Sequence, residues 1–342
     1  MPPVLARRLV IIPLWMMLAV VGTLGSPVAL AIAALAGALT GSRQPVRLVH
    51  FTLSYLLHET AILAACGGLW VASGFGRRMT SERFQAAHYR LMGRLLEGIL
   101  QDVLGSLSID IDAEGSPAAE QALRDPHRPL ILFSRHAGPG DSFLIINLLV
   151  SRYGRRPRIV MKKALALDPC LDLLCDRLPN ALLDTTDREA CEAQITILAE
   201  GLDGRGVLVL FPEGGNFTPE RRRRAILSLW RQGRGAQASQ AEAMEHVMAP
   251  KPTGALTALA ANPSADVIFA AHTGLGRDAY PLEMWRHPPV GHTLHMRMWL
   301  APASERPSDG EAQMDWLFGW WKALDDWIES QGTEPTQENG HR

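Results

Sequence analysis

Residues 129–150 read Pro-Leu-Ile-Leu-Phe-Ser-Arg-His-Ala-Gly-Pro-Gly-Asp-Ser-Phe-Leu-Ile-Ile-Asn-Leu-Leu-Val. The apolar run from Pro129 to Phe133 has the length of a buried strand, and the run from Phe143 to Val150 reads as a buried helix. Between them lies a glycine-rich turn that carries His136 and Asp141. A strand that gives way to a helix in this manner is the unit of an α/β sheet, and such folds place their ligand sites at these junctions. The chemistry suits the place: a neutral imidazole oriented by a carboxylate is a general base able to take a proton from a hydroxyl near pH 7.

The alternation continues downstream. Apolar runs at 158–161, 181–183, 206–211 and 266–271 predict further short buried strands, and helical patterns at 142–152, 169–178, 188–202 and 252–261 separate them. The expected fold is an α/β domain with a largely parallel or mixed sheet flanked by helices. Arg77 to Gly105 reads as an amphipathic helix with Phe84, Leu91, Leu95 and Ile99 on one side. Residues 216–248 are polar and basic and read as a mobile excursion from the sheet. Near the carboxyl end, Asp315 to Ser330 sets Trp316, Leu317, Trp320, Trp321, Leu324, Trp327 and Ile328 on one helical face. The opposite face carries Asp315, Asp325, Asp326 and Glu329, which an anionic membrane would repel, so this helix is expected to dock onto the domain.

No charged residue occurs from Leu9 to Thr40, a stretch long enough to cross a bilayer, with Arg7 and Arg8 ahead of it and Arg43 and Arg47 behind. A cleaved signal peptide would be shorter. A second apolar stretch, Leu48 to Phe75, contains His58 and Glu59, and the cost of that pair at a bilayer centre implies shallow or protein-covered placement. Two full crossings would set Arg43 and Arg47 opposite Arg77 and Arg78, against the positive-inside rule. The expectation is a hairpin dipping into one leaflet, or one span plus an interfacial helix, with Pro13 and Pro27 kinking or dividing the first helix. A buried helical hairpin in a soluble protein is the alternative. The chain then divides into anchoring helices over 1–76, the α/β domain over 77–330 and a disordered polar tail over 331–342.

A net charge of −1 argues against a dedicated nucleic-acid binder. Four cysteines, Cys66, Cys170, Cys175 and Cys191, have neither disulfide-framework nor zinc spacing and read as reduced thiols in a cytosol-facing protein.

Among eleven histidines, a His-x4-Asp pair arises readily by chance, and Asp141 could simply cap the helix it precedes. The strand-to-helix position raises its weight, and backbone amides at Gly138 and Gly140 could meet a developing oxyanion. A second signature follows the apolar run Val207 to Phe211, where Pro212-Glu213-Gly214-Gly215 leaves the strand end. Glu213 there can fix a hydroxyl or position a cationic side chain; a solvated turn is the plain alternative. Basic groups cluster at Lys162-Lys163 and at Arg221 to Arg224.

His136 to Asp141 and Phe211 to Gly214, in that order, resemble the hallmarks of the membrane-bound glycerolipid acyltransferases, the 1-acylglycerol-3-phosphate (lysophosphatidate) acyltransferase family. Met161-Lys162-Lys163-Ala164-Leu165 followed by Pro169 is similar to that family's central acceptor-binding segment. His246-Val247-Met248-Ala249-Pro250-Lys251-Pro252-Thr253-Gly254 resembles the Pro-basic-x-x-Gly stretch of one eukaryotic-like branch, and the likeness spans roughly residues 80–275. Departures fall at Asn216, where an arginine often follows the Glu-Gly pair, and at Asp184-Thr185-Thr186, where an arginine usually ends the central segment. The strand Val267 to Ala271 also lacks the usual proline.

The resemblance implies an O-acyltransferase that moves a fatty acyl group from acyl-CoA or acyl carrier protein to a lysophospholipid, 1-acylglycerol-3-phosphate first among them. It implies His136 as base, Asp141 as its orienter, Glu213 and Gly214 in the acceptor site, and Lys162, Lys163 or Arg221 on a phosphate. It implies no metal or cofactor beyond the acyl donor, and a place on the cytoplasmic face of a membrane, the plasma membrane in a bacterium. Two rival readings stand beside it. One is a membrane-tethered hydrolase that activates water, with His272 and Asp278 as further ligands; the other is a non-catalytic lipid-binding protein.

Overall fold

In the computed structural model, residues 3–138, 140–184, 187–274 and 289–332 are described, and β2 (Leu130–Ser134) lies at the centre of the sheet. The other strands are β1 (Asp110–Gly115), β3 (Arg156–Lys162), β4 (Ala181–Leu183), β5 (Gly206–Leu210), β6 (Asp266–Thr273) and β7 (Thr293–Ala301). They form a seven-stranded sheet in the order β1-β7-β6-β2-β5-β3-β4. Every neighbouring pair is parallel except β6 and β7, so the fold is α/β with a mixed sheet.

Burial on both faces explains why the central strands read as unbroken apolar runs. Leu130 and Leu132 face a layer built from α3 (Glu82–Leu107), α4 (Pro117–Arg124) and α5 (Asp141–Asn147). Ile131 and Phe133 face the other layer, α7 (Arg188–Glu200), α8 (Pro219–Arg231), α9 (Gly235–Glu242), α10 (Pro252–Ala261) and α11 (Gly310–Ser330). Between β3 and β4 lies α6 (Pro169–Arg177). The chain leaves β2 toward β3 on one side and returns from β5 to β6 on the other. The carboxyl ends of β2, β5 and β6 therefore border a crevice where the strand order reverses, the usual ligand position in such sheets.

The tryptophan-rich helix docks as expected. Trp321 is fully buried, and Trp320 stacks on Phe269 of β6 at 4.5 Å between ring centroids. Asp325 departs from the expected solvent face: it is buried, and its carboxylate accepts the His246 backbone N–H at 2.7 Å. Residues 216–248 are also more ordered than expected. They fold as α8 and α9, with Ile226 and Leu229 in the core, and Arg222 Nε donating to the Met244 carbonyl at 2.6 Å beyond the end of α9. The helix expected over 77–105 starts instead at Glu82, after turns that place Phe75 in the left-handed region.

Two helices, α1 (Val4–Thr40) and α2 (Gln44–Ala72), are long and apolar enough to cross a membrane by length and composition. Neither Pro13 nor Pro27 divides α1. The outer surface of α1 exposes Leu9, Leu24 and Leu39, whereas α2 lies against α3 and α6. This contact explains the ionisable pair inside α2. His58 Nε2 lies 3.1 Å from Asp102 of α3, Ser54 donates to the same carboxylate, and Glu59 is buried. The start of α1 is clasped to α6: Arg7 pairs with Asp172, and Arg8 reaches Asp172 at 2.6 Å and Asp176 at 3.1 Å. Asp278, Thr185, Thr186 and the tail from residue 333 lie outside the described residues.

Candidate active site

The end of β2 delivers His136, and the first turn of α5 delivers Asp141. His136 Nδ1 lies 3.3 Å from Asp141 Oδ2. A carboxylate accepts, so the proton sits on Nδ1 and the lone pair on Nε2, which Asp141 does not engage. The His136 ring lies 4.6 Å from the Phe211 ring, which limits its rotation. The His136 side chain is 19% exposed against 4% for Asp141, so the imidazole is the member of the pair open to a substrate.

Asp141 does not act as a helix cap. Gly140 holds the N-cap position, and the Asp141 carboxylate turns back to accept the Gly138 N–H at 2.7 Å. Burial alone would raise the Asp141 carboxyl; His272, His136 and the Gly138 amide outweigh it and hold the group below the usual carboxylate range. The Gly138 amide, expected as an oxyanion donor, is thus engaged with Asp141, and Gly140 stands at the start of α5.

The segment after β5 folds as a tight turn, with the Gly214 N–H donating to the Phe211 carbonyl at 2.9 Å. Gly214 has φ 73°, and a side chain there would also strike the Lys251 amine. Glu213 is buried, unlike a solvated turn residue. Its Oε1 accepts the His136 N–H at 3.2 Å and its Oε2 accepts the Met248 N–H at 3.3 Å. Glu213 therefore ties the ends of β2 and β5 to the segment before α10. Burial pushes its carboxyl up to about 8, against the lowering pull of the Arg135 guanidinium and the two backbone amides.

Arg135 and His272 were not singled out for these roles by sequence. Arg135 is fully buried, and it donates from Nη1 to the His272 carbonyl at 2.6 Å and from Nη2 to the His246 carbonyl at 3.1 Å. His272, at the end of β6, brings Nε2 to 3.5 Å from Asp141 Oδ2. The local signal was slight: an arginine beside the histidine, and a histidine at the end of an apolar strand.

The basic residues divide into two groups. Arg221, in the first turn of α8, and Lys251, ahead of α10, reach the Gly214-Gly215 pair: the Arg221 Nη1 lies 3.3 Å from where a Gly215 Cβ would stand, and the Lys251 Nζ 2.7 Å from where a Gly214 Cβ would stand. Lys162 and Lys163 are exposed at the carboxyl end of β3, across β5 from β2.

A family model described as Acyltransferase matches residues 114–256, from β1 into α10. The matched stretch holds His136, Asp141, Lys162, Lys163, Glu213, Arg221 and Lys251. No curated protein matches the chain.

Proposed function

We propose that this protein is a membrane-anchored O-acyltransferase that moves a fatty acyl group from acyl-CoA, or from acyl carrier protein, to the free hydroxyl of a lysophospholipid. The acceptor class we favour is 1-acylglycerol-3-phosphate, which gives phosphatidate. The observation that carries the reading is the His136–Asp141 pair at 3.3 Å, set at the end of the central strand inside the stretch that matches the acyltransferase family model. Residues 1–76 anchor the protein, 77–330 form the acyltransferase domain and 331–342 are a tail.

His136 Nε2 takes the acceptor's hydroxyl proton as the oxygen attacks the thioester carbonyl. Asp141 holds the imidazole in its tautomer and stabilises the imidazolium that forms. The tetrahedral intermediate then collapses, the carbon–sulfur bond breaks, and the thiolate receives the proton from His136. No acyl-enzyme is needed, because the thioester is already activated. The Gly140 region supplies backbone amides toward the oxyanion. Glu213 orders the site by holding the backbone of His136 in place. Arg221 and Lys251 over Gly214-Gly215, with Lys162 and Lys163 further along the same edge, take phosphate groups of the acceptor or of coenzyme A.

The anchor fits this chemistry, since acceptor and product both reside in a bilayer. The carboxyl end of α3, on which the turn end of the α1–α2 hairpin packs, adjoins the amino ends of β1 and β7 beside the end of β6. Anchor and crevice thus share one side of the domain, and in this reading that side is turned toward the cytoplasmic face of the membrane.

The test is acyl transfer from radiolabelled acyl-CoA to a panel of lysophospholipids in detergent, with wild type, His136→Ala and Asp141→Asn compared. Transfer by the wild type that persists at full rate in His136→Ala would sink the general-base assignment. An inactive wild type on every acceptor would sink the acyltransferase reading.

A further inference from the structure

Two imidazoles approach one carboxylate oxygen. His136 Nδ1 lies 3.3 Å from Asp141 Oδ2 and His272 Nε2 lies 3.5 Å from it, while the Gly138 N–H donates to the same atom at 2.7 Å. The histidines come from the ends of adjacent parallel strands, with Ser134 of β2 in register with Ala270 of β6. The His272 side chain is only 3% exposed, so its contact is with Asp141 rather than with a substrate. Its backbone is held by Arg135, which donates to the His272 carbonyl at 2.6 Å.

We propose that His272 is a positioning residue that shares Asp141 Oδ2 with His136 and so limits how tightly the carboxylate holds the base. This inference rests on His136 being the general base.

At 3.5 Å the His272 imidazole acts on the carboxylate through its electric field rather than through a hydrogen bond, and it lowers the negative potential at Oδ2. Without it, the same carboxylate stabilises the protonated form of His136 more strongly, and protonation disables the base at a higher pH. Among the described residues, the charged groups around the pair include Glu213 from the turn after β5 and Arg135 from the end of β2, whose second donor goes to the His246 backbone carbonyl ahead of α10. A substitution at 272 leaves each of these side chains in place, so a displaced pH profile reports the sharing of Asp141.

The experiment is the pH dependence of kcat/KM for acyl transfer from labelled acyl-CoA to 1-acylglycerol-3-phosphate, with the full chain in detergent micelles. Wild type, His272→Leu, His272→Gln and His136→Ala are compared. The leucine variant is expected to move the acid limb upward by about half a unit to one unit, with activity above pH 8 within roughly threefold of wild type. The glutamine variant keeps an N–H donor and is expected to return the limb close to its wild-type position. Should the leucine variant not fold, His272→Asn, whose shorter amide does not reach Asp141, takes its place. An unmoved acid limb, or equal displacement in the variants with and without a reaching donor, overturns the role of His272. Full activity in His136→Ala overturns the general-base reading itself, whatever the profiles show.

Discussion

Arg221 reaches back along the start of α8 and donates from Nη1 to the carbonyl of Asn216 at 2.9 Å. Asn216 is the position where the resemblance led us to expect an arginine after the Glu-Gly pair. The chain thus brings a guanidinium to that place from five residues downstream, on a helix whose Thr218 hydroxyl caps the Arg221 N–H at 3.1 Å. If this cation holds a substrate phosphate, its loss costs one charge-assisted contact. We expect Arg221→Ala to raise KM for the phosphate-bearing substrate by about 10- to 100-fold, with kcat changed far less. The double variant Arg221→Ala/Asn216→Arg should recover much of that loss. Steady-state kinetics with acceptor and donor varied separately would check both, and an unchanged KM for each would remove Arg221 from the binding site.

Asp141→Asn tests orientation rather than proton removal. An asparagine can still accept the Gly138 N–H, which Asp141 does at 2.7 Å, so the turn should survive. The amide oxygen that keeps the Gly138 and Nδ1 contacts is neutral, so it cannot stabilise an imidazolium as the carboxylate does. The expected result is a fall in kcat of about 10²- to 10⁴-fold with a melting temperature close to wild type. A large loss of melting temperature alongside the lost activity would instead mark Asp141 as structural.

Much of the candidate site is legible in the sequence, and the reason is local. β2 and β5 are buried on both faces, so their apolar runs stop abruptly at Ser134 and Pro212, and the residues after each stop border the crevice. β1 was not legible. It is an edge strand that alternates Asp110, Asp112 and Glu114 with Ile111, Ala113 and Gly115, and charge on an edge strand guards against pairing with other chains. The polar, basic stretch 216–248, expected as a mobile excursion, misled for a different reason. Arg222 reads as solvated, yet it donates to the Glu242 carbonyl at 2.8 Å, twenty residues away in sequence. Glu213 and His272 share that character, because their partners are set by which strands become neighbours.

Glu213 gives a prediction on pH. Its folded-state carboxyl is raised to about 8 by burial, opposed by Arg135 and two backbone amides. A carboxyl raised on folding contributes stability that is fully present below its unfolded value, near 4.3, and is lost as pH rises through 8. Glu213→Gln removes that titration, although its amide group meets one backbone N–H as a donor facing a donor. The melting temperature of wild type minus that of Glu213→Gln should therefore shrink steadily from pH 5.5 to pH 8.5. A constant difference across that range would mean that Glu213 ionises as an ordinary surface carboxylate does.

The clasp between α1 and α6 predicts how the anchor is coupled to the domain. Arg7 and Asp172 have side-chain exposures of 6% and 4%, and Arg8 Nε adds a second contact to Asp172 at 2.6 Å. Removing one partner of a buried pair strands the other charge, a cost of about 3–5 kcal/mol, whereas replacing both by apolar groups is often neutral. Asp172→Ala should therefore lower stability by about that amount in detergent, because it leaves both arginines without this carboxylate. Arg7→Leu/Asp172→Leu should recover part of the loss, with Arg8 keeping its contact to Asp176 at 3.1 Å. The same Asp172→Ala change should open the start of α1 to protease while the apolar surface of α1 keeps the protein in the membrane fraction. Unfolding curves and limited proteolysis on membranes would read the two effects separately. An Asp172→Ala protein as stable and protease-resistant as wild type would mean that the start of α1 is held by its apolar packing and not by this clasp.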